Sequence, residues 1–231
     1  MKPAFWARRT HKWIGLIIGL QALLWMISGV YMTVISLDII HGDHLAHTRG
    51  EPLVPSAQWL SPEQILSQHP GLTSYRVRHL LDEVVYEIHA KEGVSLIDAK
   101  SGARISPLDK DIARALGESM YQGAGKVSSV EWITQAPQEI GARRPVPLWA
   151  VRFSDTGETT LYFSPDTGEL VARRHSLWRW FDFLWMLHIM DYDARTDVNN
   201  NLLRVAAAVG LIFALSGVWL LLYSFRRRDA A

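Results

Sequence analysis

The chain has 231 residues, of which 48% are hydrophobic and 20% charged, and its 24 basic and 23 acidic side chains leave a formal net charge of +1. So even a balance gives no electrostatic footprint for nucleic acid. The absence of cysteine excludes a disulfide framework, Cys-ligated zinc or iron–sulfur sites, c-type haem attachment and thiol catalysis.

The apolar residues gather at the two ends. From Trp13 to Leu37 there is no Lys, Arg, Asp or Glu, and Gln21 is the one strongly polar side chain; the run from Val205 to Tyr223 is equally free of charge. Each run is about 20 residues or more, enough for a helix to cross the ~30 Å hydrocarbon core of a bilayer. Transmembrane helices are therefore expected at 13–37 and 203–224. The basic residues Lys2, Arg8, Arg9 and Lys12 resemble the start of a signal peptide, but the apolar run is too long and no small-x-small site follows Ser28-Gly29. An uncleaved anchor is expected. Basic residues precede the first run and Arg226, Arg227 and Arg228 follow the second. The positive-inside rule then puts both termini (1–12 and 225–231) in the cytoplasm and the intervening segment outside, read as the periplasm of a bacterial inner membrane. Trp13, Trp25, Trp178, Trp180, Trp185 and Trp219 stand where aromatic interface anchors are expected.

Residues 50–174 read as a polar α+β domain. Ser61-Pro62-Glu63 starts a helix, with Ser as N-cap and Pro in the first turn, that ends before His69-Pro70-Gly71. Alternating runs at Tyr75–Arg78, Val85–His89 and Val94–Ile97 predict strands. A second helix is predicted at Asp109–Met120, followed by strands at Val127–Ile133, Leu148–Phe153, Thr160–Phe163 and Glu169–Ala172. The turn Asp98-Ala99-Lys100-Ser101-Gly102 matches Ser164-Pro165-Asp166-Thr167-Gly168, so the domain reads as two helix-plus-hairpin repeats. It contains no G-x-S-x-G, H-E-x-x-H, Walker or G-x-G-x-x-G pattern. The segment 176–192 is apolar but short, and it carries Arg179 and Asp182, which predicts an interfacial amphipathic helix. Asp191-Tyr192-Asp193…Asp197 is faintly like a calcium loop, without the turn Gly or the closing Glu, and a polar connector is expected.

These motifs in this order resemble the PepSY-associated transmembrane family. The carriers are His11-Lys12-Trp13-Ile14-Gly15-Leu16 with Ser28-Gly29, the two repeats ending in Gly102 and Gly168, Leu187-His188, and Ser216-Gly217. The resemblance implies a membrane protein in which two transmembrane α-helices flank a periplasmic α+β PepSY-like domain. Larger family members with more helices resemble ferric-siderophore reductases that hold b-type haem between their helices; other members resemble non-catalytic sensors or peptidase-modulating modules.

The resemblance implies haem ligation by histidines at the ends of the candidate spans, His11 just before the first and His188 ahead of the second. His11 and His188 lie at opposite ends of the membrane, so one subunit cannot place both on one porphyrin. Two arrangements are open: His188 pairs with His41 or His44 in the juxtamembrane segment 38–49, or a two-fold homodimer pairs His11 with its mate and His188 with its mate. The run His41, Asp43, His44, His47 also has an i, i+3, i+6 spacing that could place imidazoles on one helix face for a metal, but it lacks i+4 spacing and a solvated juxtamembrane cluster is the expected reading. Two functions are therefore expected. One is b-haem electron transfer towards periplasmic ferric iron, which requires a partner reductase because nucleotide and flavin motifs are absent. The other is a non-enzymatic sensor or scaffold that binds a peptide or protein.

Overall fold

The computed structural model describes residues 3–47, 52–141 and 144–226. Lys2, Arg227 and Arg228, and the start of the polar domain at 50–51, lie outside the described residues. The chain divides into two compact units, 1–36 with 180–231, and 37–179.

The first unit is built on α1 (Pro3–Val34) and α6 (Asn201–Arg226). Both contain a stretch long and apolar enough to cross a membrane, His11–Val34 and Asn201–Leu221. The first helix starts well before the uncharged run at Trp13, because Lys and Arg are good helix formers and a span can continue into its basic flank. It stops at Val34, three residues short of the expected end. The two helices run antiparallel. A Cβ on Gly15 would meet the Phe213 ring at 3.0 Å, and one on Gly210 would meet Ile18 Cγ2 at 3.9 Å. Small residues thus allow close approach, as in membrane helix pairs generally.

The second unit begins with a short helix α2 (Leu37–His41) and a 3₁₀ turn Asp43–Leu45. Between them Gly42 sits at φ 74°, so the residues 41–47 form no continuous helix. The alternative that put His41, Asp43, His44 and His47 on one helix face is corrected by this left-handed glycine.

The two repeats then follow. Helix α3 (Pro62–Gln68) carries a full capping box: Ser61 accepts from the Gln64 amide and the Gln64 side chain accepts from the Ser61 amide. It leads into the antiparallel sheet β1 (Leu72–Leu80), β2 (Glu83–Ala90), β3 (Gly93–Asp98), in the order β1-β2-β3. Helix α4 (Lys110–Met120), capped by Asp109, leads into β4 (Val127–Ile133), β5 (Leu148–Phe153), β6 (Thr160–Phe163) and β7 (Leu170–Arg174), again ordered by sequence. The β6–β7 hairpin has a short counterpart in the first repeat, where Ile105 N–H donates to Leu96 O at 2.8 Å.

The matched turns close in the same way. Gly102 N–H donates to Asp98 O at 3.0 Å and Gly168 N–H to Ser164 O at 2.7 Å, with φ of 73° and 68°. Gly168 has a second constraint, since a Cβ there would lie 2.9 Å from both Leu80 and Leu108. Gly168→Ala is expected to destabilise this unit by roughly 2–5 kcal/mol, left-handed strain plus overpacking, read as a lowered unfolding midpoint in urea.

Alternation along the strands sends side chains to two faces. Leu80, Val85 and Leu96 of the first sheet join Leu116 of α4 and Val151, Leu161 and Phe163 of the second sheet in one core between the repeats. Tyr86, Ile88 and Ile97 face the other way, onto Ile65 of α3. Ile140, Leu148, Ala150 and Tyr162 form a third cluster on the far face of the second sheet. The inner strands β2, β5 and β6 are buried on both faces, which explains why they are more apolar than the edge strands.

Candidate cofactor site in the membrane unit

A serine in the middle of an apolar helix must place its hydroxyl hydrogen somewhere, because no water reaches it. Ser28, fully buried in α1, donates to Leu24 O at 2.8 Å, one turn back. The same oxygen lies 2.7 Å from Nδ1 of His188. A hydroxyl has one hydrogen to give. With that hydrogen on the Leu24 carbonyl, Ser28 Oγ accepts from Nδ1–H. The tautomer assigned from these bonds leaves the Nε2 lone pair free.

The other end of the unit repeats the arrangement with the helices exchanged. Ser216 of α6 donates to Phe213 O at 2.7 Å, and its Oγ lies 2.9 Å from Nδ1 of His11 on α1. By the same count His11 carries its proton on Nδ1 and its lone pair on Nε2. Each histidine therefore leans on the serine of a Ser-Gly pair in a different helix. His11 stacks on Phe213 with ring centroids 4.3 Å apart and planes 19° from parallel. His188 lies nearly parallel to Trp185, at 6.2 Å and 6°, and Trp185 to Phe181, at 6.0 Å and 11°. Among the described residues neither Nε2 has a hydrogen-bond partner. At about 1.5 Å of rise per residue, His11 and Ser28 are ~25 Å apart along α1, so the two imidazoles stand at opposite ends of the unit.

His188 is delivered by helix α5 (Ser176–Ile189), whose end is held by side chains rather than by water. The last carbonyls of a helix lack intrahelical donors. Here Gln21 Nε2 donates to Leu187 O at 3.2 Å, Trp25 Nε1 to His188 O at 2.8 Å and Asn200 Nδ2 to Ile189 O at 2.9 Å. Gln21, the single strongly polar residue of the first apolar run, thereby has a structural reason. The C-terminal end of α5 is held against α1 by these bonds.

The connector to α6 is self-organised. The Asp191 carboxylate accepts from the amides of Asp193, Ala194, Thr196 and Asp197, at 2.9–3.3 Å. Those bonds from Asp197 and Thr196 hold its carboxyl below the usual range. Arg195 pairs with Asp182, while Trp185 Nε1 donates to Arg195 O at 3.1 Å.

His41 and His44 belong to the other unit, and both are exposed. His44 packs edge-on against His175 at 6.0 Å, and His175 Nε2 lies 3.1 Å from Ile40 O. Burial pushes the His175 imidazole below its ordinary value. No group of three or more His, Asp or Glu converges as a metal cage among the described residues.

Sequence reading singled out His11 and His188 but missed their serine partners and the Gln21–Trp25 clamp. The signal was present in the two Ser-Gly pairs, each in a different helix from the histidine it supports. Comparison with curated proteins and with solved structures gave no match. The family model for the PepSY-associated TM region matches residues 8–231. That match covers nearly the whole chain and both histidine–serine pairs, so the protein is a membrane protein that belongs to the PepSY-associated TM family.

Proposed function

We propose that the membrane unit holds b-type haem through Nε2 of His188 and of His11, and that it serves transmembrane electron transfer towards ferric iron or a ferric siderophore outside the cell. The observation that carries this reading is the paired tautomer: two histidines at opposite ends of the membrane unit, each with Nδ1–H given to a serine hydroxyl, fully buried Ser28 or half-buried Ser216, and Nε2 unclaimed. A histidine that ligates a metal by one nitrogen commonly donates from the other, which fixes ring orientation and raises basicity. The residues fit the group in a second respect. Gly29 and Gly19 face open space where a Cβ would meet nothing within 4 Å, and Gly217 leaves 3.8 Å to His11 Cε1, so the helix surfaces near both histidines are flat enough for a large planar ligand.

When bound, b-type haem supplies a one-electron couple, and its potential is set by axial ligands and their hydrogen bonds. The chain's own contribution is placement. Ser28 and Ser216 orient the imidazoles, and the Gln21 and Trp25 clamps fix the end of α5 that carries His188. Since each end offers one imidazole, each site would be completed by the same histidine of a second copy in a two-fold dimer. Basic flanks place both termini in the cytoplasm of a bacterial inner membrane and the α+β unit in the periplasm. With no nucleotide or flavin motif in the sequence, the electrons come from a partner reductase.

Ser28→Ala separates the role of the serine from that of the ligand. It is expected to weaken haem retention about tenfold or more and to raise the midpoint potential, because an imidazole without its Nδ1 acceptor donates less to iron. Redox titration of the purified variant measures both. An unchanged potential and unchanged retention would contradict the assigned role of Ser28. His41→Ala with His44→Ala is the control, expected to leave haem content as it was.

A further inference from the structure

We infer that His175 is a pH-sensitive latch: it holds the segment that follows α1 onto the α+β unit at neutral pH and releases that segment in mild acid. The segment is α2 with the 3₁₀ turn, residues 37–45. Its Ile40 side chain is fully buried, Asp43 pairs with Arg173 at 2.8 Å, and Leu45 O accepts from the Gln122 amide at 2.8 Å. Just beyond it, the His47 amide donates to Met120 O at 3.2 Å. The imidazole of His175, 3% exposed, adds a further tie, with Nε2 at 3.1 Å from Ile40 O.

That tie suits a neutral ring. Ile40 stands in the last turn of α2, where carbonyls lack intrahelical donors. A carbonyl only accepts, so Nε2 carries a hydrogen, and the uncharged tautomer already satisfies Ile40 O. The turn is shaped around this ring. Gly42, at φ 74°, passes so close that a Cβ there would meet His175 Cδ2 at 3.3 Å and Arg173 Cβ at 3.5 Å.

A second proton on the ring meets a cationic setting. His44 of the 3₁₀ turn stands edge-on at 6.0 Å, Arg173 comes from the end of β7 and Arg179 from the first turn of α5. The carboxylates of the surrounding elements are committed elsewhere. Asp43 pairs with Arg173, and Glu139 with Arg179 and the Tyr162 hydroxyl. Asp155, in the loop whose Gly157 lies against His175, accepts from the Thr159 amide and hydroxyl. Asp38, His41 and Glu158, the other titratable groups of these segments, are exposed. Burial therefore holds the imidazole below its ordinary value, against the pull of the Ile40 bond and with help from His44 and Arg179. Once the segment lifts, the ring titrates near its ordinary ~6.5 and binds a proton more readily than when covered. Opening is thus favoured as pH falls through that value, and the latch is fully held above it.

The test is hydrogen–deuterium exchange of the full chain in mild detergent at about pH 7.5 and about pH 5, either side of an ordinary imidazole. It does not depend on haem. Protection, corrected for intrinsic exchange, is read at the amides of Gly42, Leu45 and His47, which are bonded in the closed segment, with β5 as an internal control. The segment is expected to lose protection about tenfold in acid, below the roughly thirtyfold ceiling set by a free imidazole near 6.5, while β5 is unchanged. His175→Gln keeps an N–H for Ile40 O and does not titrate, so its protection should be equal at the two pH values. Should that variant be open already at the higher pH, NMR titration of the His175 ring in the unaltered chain decides, with protonation and opening expected to coincide. Equal protection of the unaltered chain at both pH values, an acid step that survives in His175→Gln, or opening while the His175 ring is still neutral would overturn the inference.

Discussion

Replacing His11 and His188 together by alanine is expected to give a membrane-inserted protein with no haem absorbance, while each single variant loses the haem of its own end. The expectation follows from geometry. The two imidazoles are ~25 Å apart along the helices, so they serve two sites, and removing one leaves the serine support of the other intact. Haem content per chain, by pyridine haemochrome, should therefore fall by about half in each single variant, given two equivalent sites per dimer. Complete loss from His188→Ala alone would contradict two independent sites. Full retention in the double variant would remove these histidines from the account. Substituting an exposed histidine such as His47 should leave haem content unchanged.

The second large effect is in the α+β unit and concerns stability alone. Glu87 is 2% exposed yet charged, and it is held by Arg76 and Arg78, at 2.8 Å each, with His89 at 3.1 Å. The same Arg76 reaches Glu169 and the same Arg78 reaches the Thr167 carbonyl, so this ion cluster ties the first sheet to the turn of the second repeat. Glu87→Gln removes the charge that Arg76, 52% exposed, and Arg78, 22% exposed, hydrogen-bond, and it is expected to destabilise the unit by about 1–3 kcal/mol, as measured by chemical unfolding.

The pH dependence supplies a second readout of that cluster. Burial pushes the Glu87 carboxyl up, but hydrogen bonds from Arg76 and Arg78 outweigh burial and hold it below the usual carboxylate range. A group whose folded pKa is lowered contributes fully above its unfolded value, near about 4.3, and loses that contribution as pH falls through the folded value. The wild-type chain should lose stability on acidification below about pH 4.3, and Glu87→Gln should flatten that decline. An equally steep acid decline in the variant would show that other carboxylates carry it.

What the sequence made legible, and what it did not, divides along physical lines. Local signals worked where one residue acts on its neighbours: Ser61 and Asp109 cap their helices, and alternation located β4, β5 and β6 from end to end. The repeat was readable from Gly102 and Gly168 because a left-handed turn has few solutions. The helix-face reading of His41 to His47 failed because Gly42 takes the left-handed conformation and breaks the run. Long-range pairings stayed hidden. Nothing in the spacing of Ser28 and His188, 160 residues apart, announces a 2.7 Å contact. Gln21 looked like a tolerated blemish in a span, and its bond to Leu187 depends on where α5 ends. The proposed function rests on which ring nitrogen is free, which requires counting donors around a serine hydroxyl in three dimensions.

The most direct test of the central claim is the absorption spectrum of the full chain, expressed in a haem-replete bacterium and purified in mild detergent. The account predicts a Soret band in the oxidised protein and sharp α and β bands on dithionite reduction, as six-coordinate b-type haem with two imidazoles gives. A colourless protein that is folded and inserted, with its histidines intact, would contradict it.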